Sequence, residues 1–371
     1  MKKPLVTFIL GTRPEAIKLS PLIIAFKASN KIRTNIILTG QHREMVKQVT
    51  NIFDIKEDLN LNLMQHGQSL TFITNSILNG LDEQFSRNKP QLILIQGDTT
   101  TALAGALAAF YKKIPIGHVE AGLRTGSLDN PFPEEANRRL ISQISNLHFA
   151  PTKNAYLNLI NSGINKDNIE ITGNTVVDAL KIIAKKDLNN KTKEIYSGSD
   201  HLLLLTVHRR ENWGENLKNI IIAIKKIIQY HSNVSIVLPM HKNKIVRDIL
   251  KDELGKNPKV ILTETLPYDQ LISLMRKCYF IITDSGGIQE EAPSLAKPVL
   301  VIRESTERIE SIEAKTSKLI GTNPDNIFKE VSELILNKTK HQKMAKAINP
   351  YGDGHSSERI LSHCLEFLKI K

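Results

Sequence analysis

The amino-acid sequence predicts an α/β protein made of two successive doubly wound halves, each a parallel sheet covered by helices. Short runs rich in apolar and β-branched residues alternate with longer helical patterns, and this alternation restarts near residue 201. The chain has 371 residues, which is too long for one ordinary hydrophobic core. Two domains are therefore expected.

The predicted elements follow one another in order along the chain. The first half offers the strands PLVTFIL, TNIILTG, QLILIQGD, PIGHVEA and LHFAPT, with helices such as EAIKLSPLIIAFKAS and TTALAGALAAFYKK between them. The second half offers HLLLLTVH, NVSIVLPM, KVILTE, YFIITDS and PVLVI, with the helices ENLKNIIIAIKKIIQY and YDQLISLMRK. We predict domains at 1–172 and 173–354, a surface loop at 184–200, and a C-terminal helix at 355–371 that packs back on the first domain.

The composition argues against a nucleic-acid-binding or membrane protein. The formal net charge is +12, but the lysines are scattered, and 5% aromatic residues with one tryptophan offer little for base stacking. No apolar stretch approaches the length of a membrane span. The two cysteines, Cys278 and Cys364, lack metal-like spacing and are too few for a disulfide framework, which favours the cytoplasm. The excess positive charge suits a dianionic small substrate.

Ligands of doubly wound sheets bind beyond the carboxyl ends of the strands, so the site is expected there, in a cleft between the two sheets. The first strand runs into GTRPEAIK, where Thr12 suits a helix N-cap and Glu15 complements the helix dipole. Backbone N–H groups of this turn, with Arg13 and Lys18, could hold a phosphate or a sugar. The turn matches neither G-x-G-x-x-G nor a Walker sequence, so no dinucleotide cofactor is predicted.

Three acidic residues follow neighbouring predicted strands of the first half. Asp98 comes after QLILIQG, Glu120 after PIGHV, and Glu134 lies in the segment NPFPEE. Clustered carboxylates raise one another's pKa, which produces a general base and a general acid near neutral pH. Alternatively, Asp98 caps the helix that follows it, or the acids bind a divalent metal together with His118. A core position is the commoner fate of such a histidine, and we predict no metal site.

The second half carries its own candidates at strand ends. His208 ends HLLLLTVH before two arginines, which favours contact with a phosphate or a leaving group over a purely structural role. The segment TDSGGIQEE brings Ser285, Gly286 and Gly287 to a helix start, where bare amides and a hydroxyl can meet a diphosphate. One turn into that helix, Glu291 can reach a ribose diol. The alternative for this segment is a plain tight turn.

These residues resemble those of the non-hydrolysing UDP-N-acetylglucosamine 2-epimerases of bacterial surface-polysaccharide pathways. The resemblance covers essentially the whole chain and implies a GT-B-like pair of Rossmann-like domains, a cleft that closes, and a homodimer. It rests on motifs in the same order, which are GTRPEAIKLSPLI, TGQHREM, QGDTTTALAGALAAFY, GHVEAGLRTG, NPFPEEANRRLIS, GNTVVDAL, TVHRREN, DSGGIQEEAPSLAKPVLVIRESTER and NPYGDG.

The resemblance also implies roles for individual residues. Within the substrate site it implies that the segment Leu266–Leu271 packs against uracil, that Glu291 contacts ribose, and that Arg308 lies on the phosphate side. The catalytic residues that it implies are Asp98, Glu120, Glu134 and His208. The substrate-binding residues that it implies are Arg13, Lys18, Leu266, Leu271, Ser285, Gly286, Gly287, Glu291 and Arg308.

Two positions depart from the family pattern. Many members have proline after the arginine of the TERPE segment, where this chain has Ile309, so we expect a local backbone difference without loss of activity. Some members bind a second UDP-N-acetylglucosamine as an allosteric activator, and the corresponding residues here are Gln41, His42 and Arg43. A later arginine of that allosteric region is replaced by Gly67, so the resemblance leaves open whether the substrate activates this protein.

The implied reaction restricts the mechanism. The C2 proton of an acetamido sugar is not acidic, because no carbonyl adjoins that carbon. Inversion then needs either transient oxidation or loss of UDP together with the C2 proton, and the strand-end loops lack a nicotinamide fingerprint. We therefore expect elimination to a 2-acetamidoglucal and bound UDP, followed by re-addition, without a cofactor.

Four other functions remain open at this stage. A hydrolysing relative would release UDP and free N-acetylmannosamine, whereas GTRPEAIK is typical of the non-hydrolysing branch. A GT-B glycosyltransferase would need an acceptor and not three acids in the first domain, and a non-enzymatic UDP-sugar sensor would tolerate loss of those acids. The substrate could also be a modified UDP-N-acetylglucosamine, such as a uronic acid or a diacetamido sugar.

Overall fold

The computed structural model of the protein describes residues 3–63, 68–129, 131–186, 201–241 and 243–370. The chain divides into two units, one made of Met1–Ile182 and Tyr351–Lys371 and the other of Ile183–Pro350. The domain limits expected from the sequence, at 172/173 and 354/355, stay a prediction. Most of the predicted loop at 184–200 lies outside the described residues, as does Gly67.

The first unit is built on parallel strands that alternate along the chain with helices. Its strands are β1 (Leu5–Leu10), β2 (Arg33–Leu38), β3 (Leu59–Asn60), β4 (Leu92–Gln96), β5 (Ile116–Val119), β6 (Leu147–Ala150) and β7 (Ile169–Ile171). Its helices are α1 (Arg13–Ala28), α2 (Arg43–Ile52), α3 (Leu70–Arg87), α4 (Thr100–Tyr111), α5 (Glu134–Ile144), α6 (Lys153–Asn161) and α7 (Thr175–Lys185). The order across the sheet is β3-β2-β1-β4-β5-β6-β7, so the direction of strand succession reverses between β1 and β4.

The second unit repeats this architecture. Its strands are β8 (His201–Thr206), β9 (Val234–Pro239), β10 (Val260–Thr263), β11 (Phe280–Thr283), β12 (Val299–Val301) and β13 (Ser317–Leu319). Its helices are α8 (Glu215–Tyr230), α9 (Lys244–Leu254), α10 (Tyr268–Lys277), α11 (Gly286–Glu291), α12 (Ile309–Glu313), α13 (Pro324–Leu336) and α14 (Lys338–Ala345). The parallel sheet has the order β10-β9-β8-β11-β12-β13 and reverses between β8 and β11.

The central strands of both sheets are buried along their length. Every residue of β1, β4, β5 and β6 is buried, and so is every residue of β8 after His201. Continuous apolar strands of this kind are typical of parallel sheets that carry helices on both faces. The predicted fold class, α/β with two Rossmann-like doubly wound sheets, is confirmed.

Three short strands at sheet edges were not predicted. β3, β7 and β13 have the sequences LN, IEI and SKL, none of which contains an apolar run. Each lies at the end of its sheet and pairs with one neighbouring strand. A strand this short and partly exposed leaves almost no pattern in the sequence.

Helix α4 lies at the centre of the first unit, against β1 and β4 and next to α3 and α5. Its sequence, TTALAGALAAFY, supplies the small side chains that such close packing requires. An added Cβ at Gly105 would lie 3.0 Å from Cδ1 of Ile9, so little space separates this helix from the sheet. The turn between β4 and α4 lies at the carboxyl edge of the sheet, and the close packing of α4 on the sheet holds it there.

The last helix, α15 (Ser356–Phe367), belongs to the first unit and packs against α1. Asp178 of α7 accepts hydrogen bonds from the backbone N–H groups of Ser357 at 2.7 Å and Ser356 at 3.3 Å. This carboxylate caps the start of α15. Within the described part of the chain, no helix has both the length and the apolar content needed to cross a membrane.

Candidate functional site

The turn after β1 is fixed by Glu15, the third residue of α1. Its Oε2 accepts hydrogen bonds from the backbone N–H groups of Gly11 at 2.9 Å and Thr12 at 2.6 Å, which satisfies donors at the helix start. Position 11 has room only for glycine, because a Cβ there would lie 2.1 Å from Oγ1 of Thr101 and 2.5 Å from Oγ1 of Thr39. Arg13, the first residue of α1, is half-buried beside this turn.

Lys18, further along α1, reaches the acid that follows β5. Its Nζ forms an ion pair with Oε2 of Glu120, and both side chains are almost completely buried. The same oxygen accepts hydrogen bonds of 3.2 Å from Gln96 and from Asn174. The backbone of Glu120 has φ +64°, in the left-handed region that side-chain-bearing residues rarely adopt. Strained positions of this kind cluster at functional sites.

Asp98 lies in the turn after β4 and is held by helix α5. Oδ2 of Asp98 is 2.8 Å from Nε and 2.7 Å from Nη2 of Arg138, and its backbone oxygen accepts a 2.8 Å hydrogen bond from Asn137. Burial raises the pKa of Asp98, and the nearby Glu120 carboxylate raises it further, although Arg138 and Lys18 oppose both effects. Asp98, Glu120 and Lys18 therefore share one electrostatic environment.

Glu134 is the first residue of α5. Its Oε2 is buried and has no hydrogen-bond partner among the described residues. Arg138, four residues later, lies on the same face of the helix and binds Asp98. The structure thus brings Asp98 and Glu120 close together and places Glu134 at the start of the helix that holds Asp98.

Several residues of this network were not identified from the sequence, among them Arg138 and Glu135. Arg138 joins Asp98 to Glu135, whose fully buried carboxylate is 3.1 Å from Nη1 of Arg138 and 3.0 Å from Nε of Arg139. Burial by itself would raise the pKa of Glu135, but the hydrogen bonds of the two arginines outweigh it and lower the pKa. The signal that could have revealed Arg138 is its spacing of four residues from Glu134 in NPFPEEANRR.

His118 is a core residue of β5. Its ring is buried, and Nε2 lies 2.7 Å from the backbone oxygen of Gly97. Burial lowers its pKa to about 3, so the imidazole is neutral at physiological pH. His118 therefore occupies a core position, the commoner fate of a histidine in a strand.

In the second unit, the turn after β8 is bound to Asp284. The Asp284 carboxylate accepts hydrogen bonds from the backbone N–H groups of His208 and Arg209, each at 2.9 Å to Oδ2, and from Nδ2 of Asn212 at 2.9 Å. His208 is half-buried, and its ring lies 5.8 Å from that of His241, centre to centre. Asp284 therefore fixes the backbone that presents His208.

The segment after β11 forms the predicted turn into a helix. Ser285 is the N-cap residue of α11, and its N–H donates a 2.9 Å hydrogen bond to Oγ1 of Thr283. A Cβ on Gly286 would lie 3.2 Å from Cζ of Arg308, so the missing side chain lets the guanidinium approach the turn. A Cβ on Gly287 would lie 3.9 Å from Oγ of Ser285, which leaves its backbone accessible to a ligand.

Three arginines near this turn, Arg209, Arg303 and Arg308, are paired with acids. Nε of Arg308 donates to Glu290 at 2.8 Å, and its Nη1 lies 3.1 Å from Glu307. Arg209 and Arg303 also bind Glu307, each at 2.7 Å. Burial alone would raise the pKa of Glu307, but Arg308, Arg209 and Arg303 lower it to about 2. The cationic groups near the turn are thus held in fixed positions.

The expected ribose and uracil residues lie around Tyr268. The hydroxyl of Tyr268 donates a 2.9 Å hydrogen bond to Oε1 of Glu291, which orients that buried carboxylate. Leu266 precedes Tyr268 and packs against a small apolar cluster of the same unit, and Leu271 is half-buried in α10. Ile309, the residue that departs from the family pattern, is the first residue of α12 and is largely exposed.

The three possible allosteric residues lie at the start of α2. Oε1 of Gln41 accepts a 2.8 Å hydrogen bond from Thr101, and the backbone N–H of His42 donates to the oxygen of Gly11 at 2.8 Å. Burial lowers the pKa of the His42 ring, whereas Arg43 is exposed. Gln41 and His42 are therefore attached to the same turns that position Arg13 and Asp98.

Comparisons with known proteins agree on one family. A family model described as UDP-N-acetylglucosamine 2-epimerase matches residues 24–365. A UDP-N-acetylglucosamine 2-epimerase of Campylobacter jejuni is 48% identical over 98% of this chain and 97% of its own length, and that of Bacillus subtilis is 46% identical over 98% and 96%. The crystal structure of the Neisseria meningitidis enzyme bound to UDP-GlcNAc is similar with a TM-score of 0.91 and 44% identity, over 98% of this chain and 100% of that one.

Proposed function

Because the chain belongs to the UDP-N-acetylglucosamine 2-epimerase family, we propose that it interconverts UDP-N-acetylglucosamine and UDP-N-acetylmannosamine by inverting C2. The observation that carries this proposal is the interacting set of the half-buried Asp98 and the buried Glu120 and Lys18 at the carboxyl edge of the first sheet. An acid whose pKa is raised by burial and by a second carboxylate suits proton transfer near neutral pH. We propose that the product serves surface-polysaccharide synthesis.

The second unit binds the UDP part of the substrate. The backbone amides of Ser285, Gly286 and Gly287 receive the diphosphate, and Arg308 adds positive charge beside them. Glu291, oriented by Tyr268, accepts hydrogen bonds from the ribose hydroxyls. The segment Leu266–Leu271 packs against uracil. This assignment is supported by the turn geometry and by the UDP-GlcNAc bound to the related Neisseria meningitidis enzyme.

The reaction proceeds by elimination and re-addition. A carboxylate of the first unit takes the C2 proton while the bond between C1 and the diphosphate oxygen breaks, which leaves UDP and a 2-acetamidoglucal. Return of a proton to the opposite face of C2 and re-formation of the C1–O bond give the epimer. Asp98, Glu120 and Glu134 are the groups that exchange protons with C2, and Arg13 and Lys18 contact the substrate.

The leaving diphosphate gains negative charge as the C1–O bond breaks. His208, presented by the turn that Asp284 fixes, stabilises this charge together with the amides of the Ser285–Gly287 turn. Arg308 is already oriented by Glu290 and Glu307, so it needs little rearrangement to take part. Positioned donors of this kind stabilise a transition state more than freely moving ones.

Related enzymes would differ from an epimerase in their products or in the substrates that they require. A hydrolysing epimerase would release free N-acetylmannosamine, and a glycosyltransferase would consume UDP-N-acetylglucosamine only with an acceptor. A modified UDP-N-acetylglucosamine remains the alternative substrate, because the residues that face the sugar are the least diagnostic.

Two further properties are proposed with the function. The first is a cytoplasmic location, which suits the free thiols of Cys278 and Cys364. The second is a homodimer.

The catalytic assignment is tested with Asp98→Asn and Glu120→Gln. Each variant should lose at least about 100-fold in kcat, because a general acid or base is removed, while UDP binding stays measurable by calorimetry. The matched control is Glu83→Gln, which removes an exposed carboxylate from α3. Conversion is followed by proton NMR of the anomeric signals of UDP-N-acetylmannosamine. Wild-type rates in either variant would refute the assignment, and free N-acetylmannosamine as the product would identify a hydrolysing enzyme.

A further inference from the structure

Glu15 lies where the turns after β1 and β4 meet, and its two carboxyl oxygens bind different turns. Oε2 accepts the N–H groups of Gly11 and Thr12 at 2.9 and 2.6 Å, and Oε1 accepts the hydroxyl of Thr99 at 2.6 Å. The residue is fully buried, with 0% of its surface exposed. One carboxyl group therefore connects two segments that are 84 residues apart in sequence.

The two connected turns are the ones that carry the proposed chemistry of the first unit. β1 and β4 pair in parallel at the point where the strand order reverses, which is where ligands bind in sheets of this type. The first turn leads into α1 with Arg13 and Lys18, and the second contains Asp98. Glu15 thus joins the segment with the cationic groups to the segment with an acid.

Helix capping accounts for only half of this arrangement. The bonds of Oε2 to Gly11 and Thr12 satisfy donors at the start of α1, as a glutamate at this position of a helix commonly does. Such a glutamate needs no burial and no second partner. Here burial raises the pKa of Glu15 to about 7, even though the hydrogen bonds from Thr99, Gly11 and Thr12 lower it. Burying this carboxyl costs free energy, and its hydrogen bonds to both turns offset that cost.

Thr99 connects Glu15 to the backbone next to Asp98. Its Oγ1 donates to Glu15 and accepts from the N–H of Ala102 at 3.0 Å, which caps α4. Asp98 directly precedes Thr99, and Asn137 of α5 holds the backbone oxygen of Asp98 from another side. The backbone of Asp98 is therefore fixed between α5 and the bond from Thr99 to Glu15.

We propose that Glu15 is a positioning residue that sets the placement of Asp98 relative to the cationic groups of α1, an inference that rests on the proposed function. Glu15 acts through Thr99 and through the Gly11–Thr12 turn and does not touch the reacting atoms. A displacement of about 1 Å in a reacting group can cost about 100-fold in rate. Loss of the connection therefore lowers kcat far more than it raises KM.

The test compares Glu15→Gln with Glu15→Ala. Glutamine has the same length, and its amide can accept from the two backbone N–H groups and donate to Thr99, so its kcat should stay within about threefold of wild type. Alanine removes all three bonds and should lower kcat about 100-fold, with KM for UDP-N-acetylglucosamine changed by less than about threefold. Ser69→Ala is the control, because it removes a helix cap in the same unit that bonds neither turn.

A second readout does not depend on turnover. Hydrogen exchange at the amide of Ala102 should be faster in Glu15→Ala than in wild type and unchanged in Glu15→Gln and Ser69→Ala. If Glu15→Ala does not fold, Thr99→Val removes the bond to Glu15 from the other side, together with the cap of α4, and should lower kcat about 100-fold. Thr99→Ser keeps the hydroxyl and both bonds, so its kcat should stay near that of wild type.

The outcomes separate this proposal from the proposed function. If the wild-type protein does not convert UDP-N-acetylglucosamine, the proposed function fails, and the exchange at Ala102 alone decides the role of Glu15. Unchanged exchange at Ala102, or a kcat of Glu15→Gln as low as that of Glu15→Ala, would overturn the positioning role. The same holds if Glu15→Ala loses thermal stability as Ser69→Ala does and keeps its kcat.

Discussion

Arg138 is the side chain that joins two acids of the first unit, Asp98 and Glu135. It binds Asp98 on one side and Glu135 on the other, and only 10% of its side chain is exposed. Removing one member of such a buried network leaves its partners without compensation for their lost hydration. Arg138 therefore opposes the rise that burial causes in the pKa of Asp98, and it need not touch the substrate to do so.

Replacing Arg138 tests this dependence. Arg138→Gln removes a positive charge that lowers the pKa of Asp98, so that pKa should rise further. If ionised Asp98 is needed for turnover, the acidic limb of the profile of kcat against pH should move upward by about one pH unit or more. Arg139→Gln is the matched control, because Arg139 binds the same Glu135 but is half exposed. An unshifted acidic limb in Arg138→Gln would show that Asp98 does not govern it.

The sequence predicted the residues whose position follows from the strand-end rule, and it missed those defined by contacts distant in sequence. Glu120 directly follows the buried strand β5, and Asp98 comes two residues after the buried strand β4, so their convergence could be inferred. Asn174 binds Glu120 from 54 positions away, and Glu15 binds Thr99 from 84 positions away. In the sequence, Glu15 shows only as a good residue for a helix start, because its second bond exists only in the folded chain.

Among the helices, α15 depends on a cap that comes from another helix. Both oxygens of the Asp178 carboxylate accept N–H groups of its first turn, from Ser356 and Ser357. These donors are buried, so no water replaces the carboxylate if it is lost. The packing of α15 on α1, which carries Arg13 and Lys18, therefore depends on one side chain of α7.

Asp178→Ala should lower the free energy of unfolding by about 2 kcal/mol, because it leaves two buried donors without acceptors. The measurement is urea unfolding of the variant beside wild type. Glu358→Ala is the control, since Glu358 is an exposed residue of the same helix and its loss should change stability by less than about 0.5 kcal/mol. Equal effects of the two substitutions would contradict the capping role of Asp178.

Across the whole molecule, the two sheets present different chemistry at the ends of their strands. The first unit offers buried carboxylates and Lys18, whereas the second offers a glycine turn and arginines held by Glu290 and Glu307. This division matches the two parts of a nucleotide sugar, one that undergoes proton transfer and one that carries a diphosphate. The net charge of +12 further favours a dianionic substrate.

The most direct test of this account is to incubate the protein with UDP-N-acetylglucosamine in deuterated water and to follow C2 by proton NMR. Because elimination removes the C2 proton and solvent returns one, the UDP-N-acetylmannosamine formed should carry deuterium at C2 and keep its proton at C1. Little free sugar should accumulate. UDP-N-acetylmannosamine that retains its original C2 proton would contradict the proposed mechanism, and the absence of this product would contradict the proposed reaction itself.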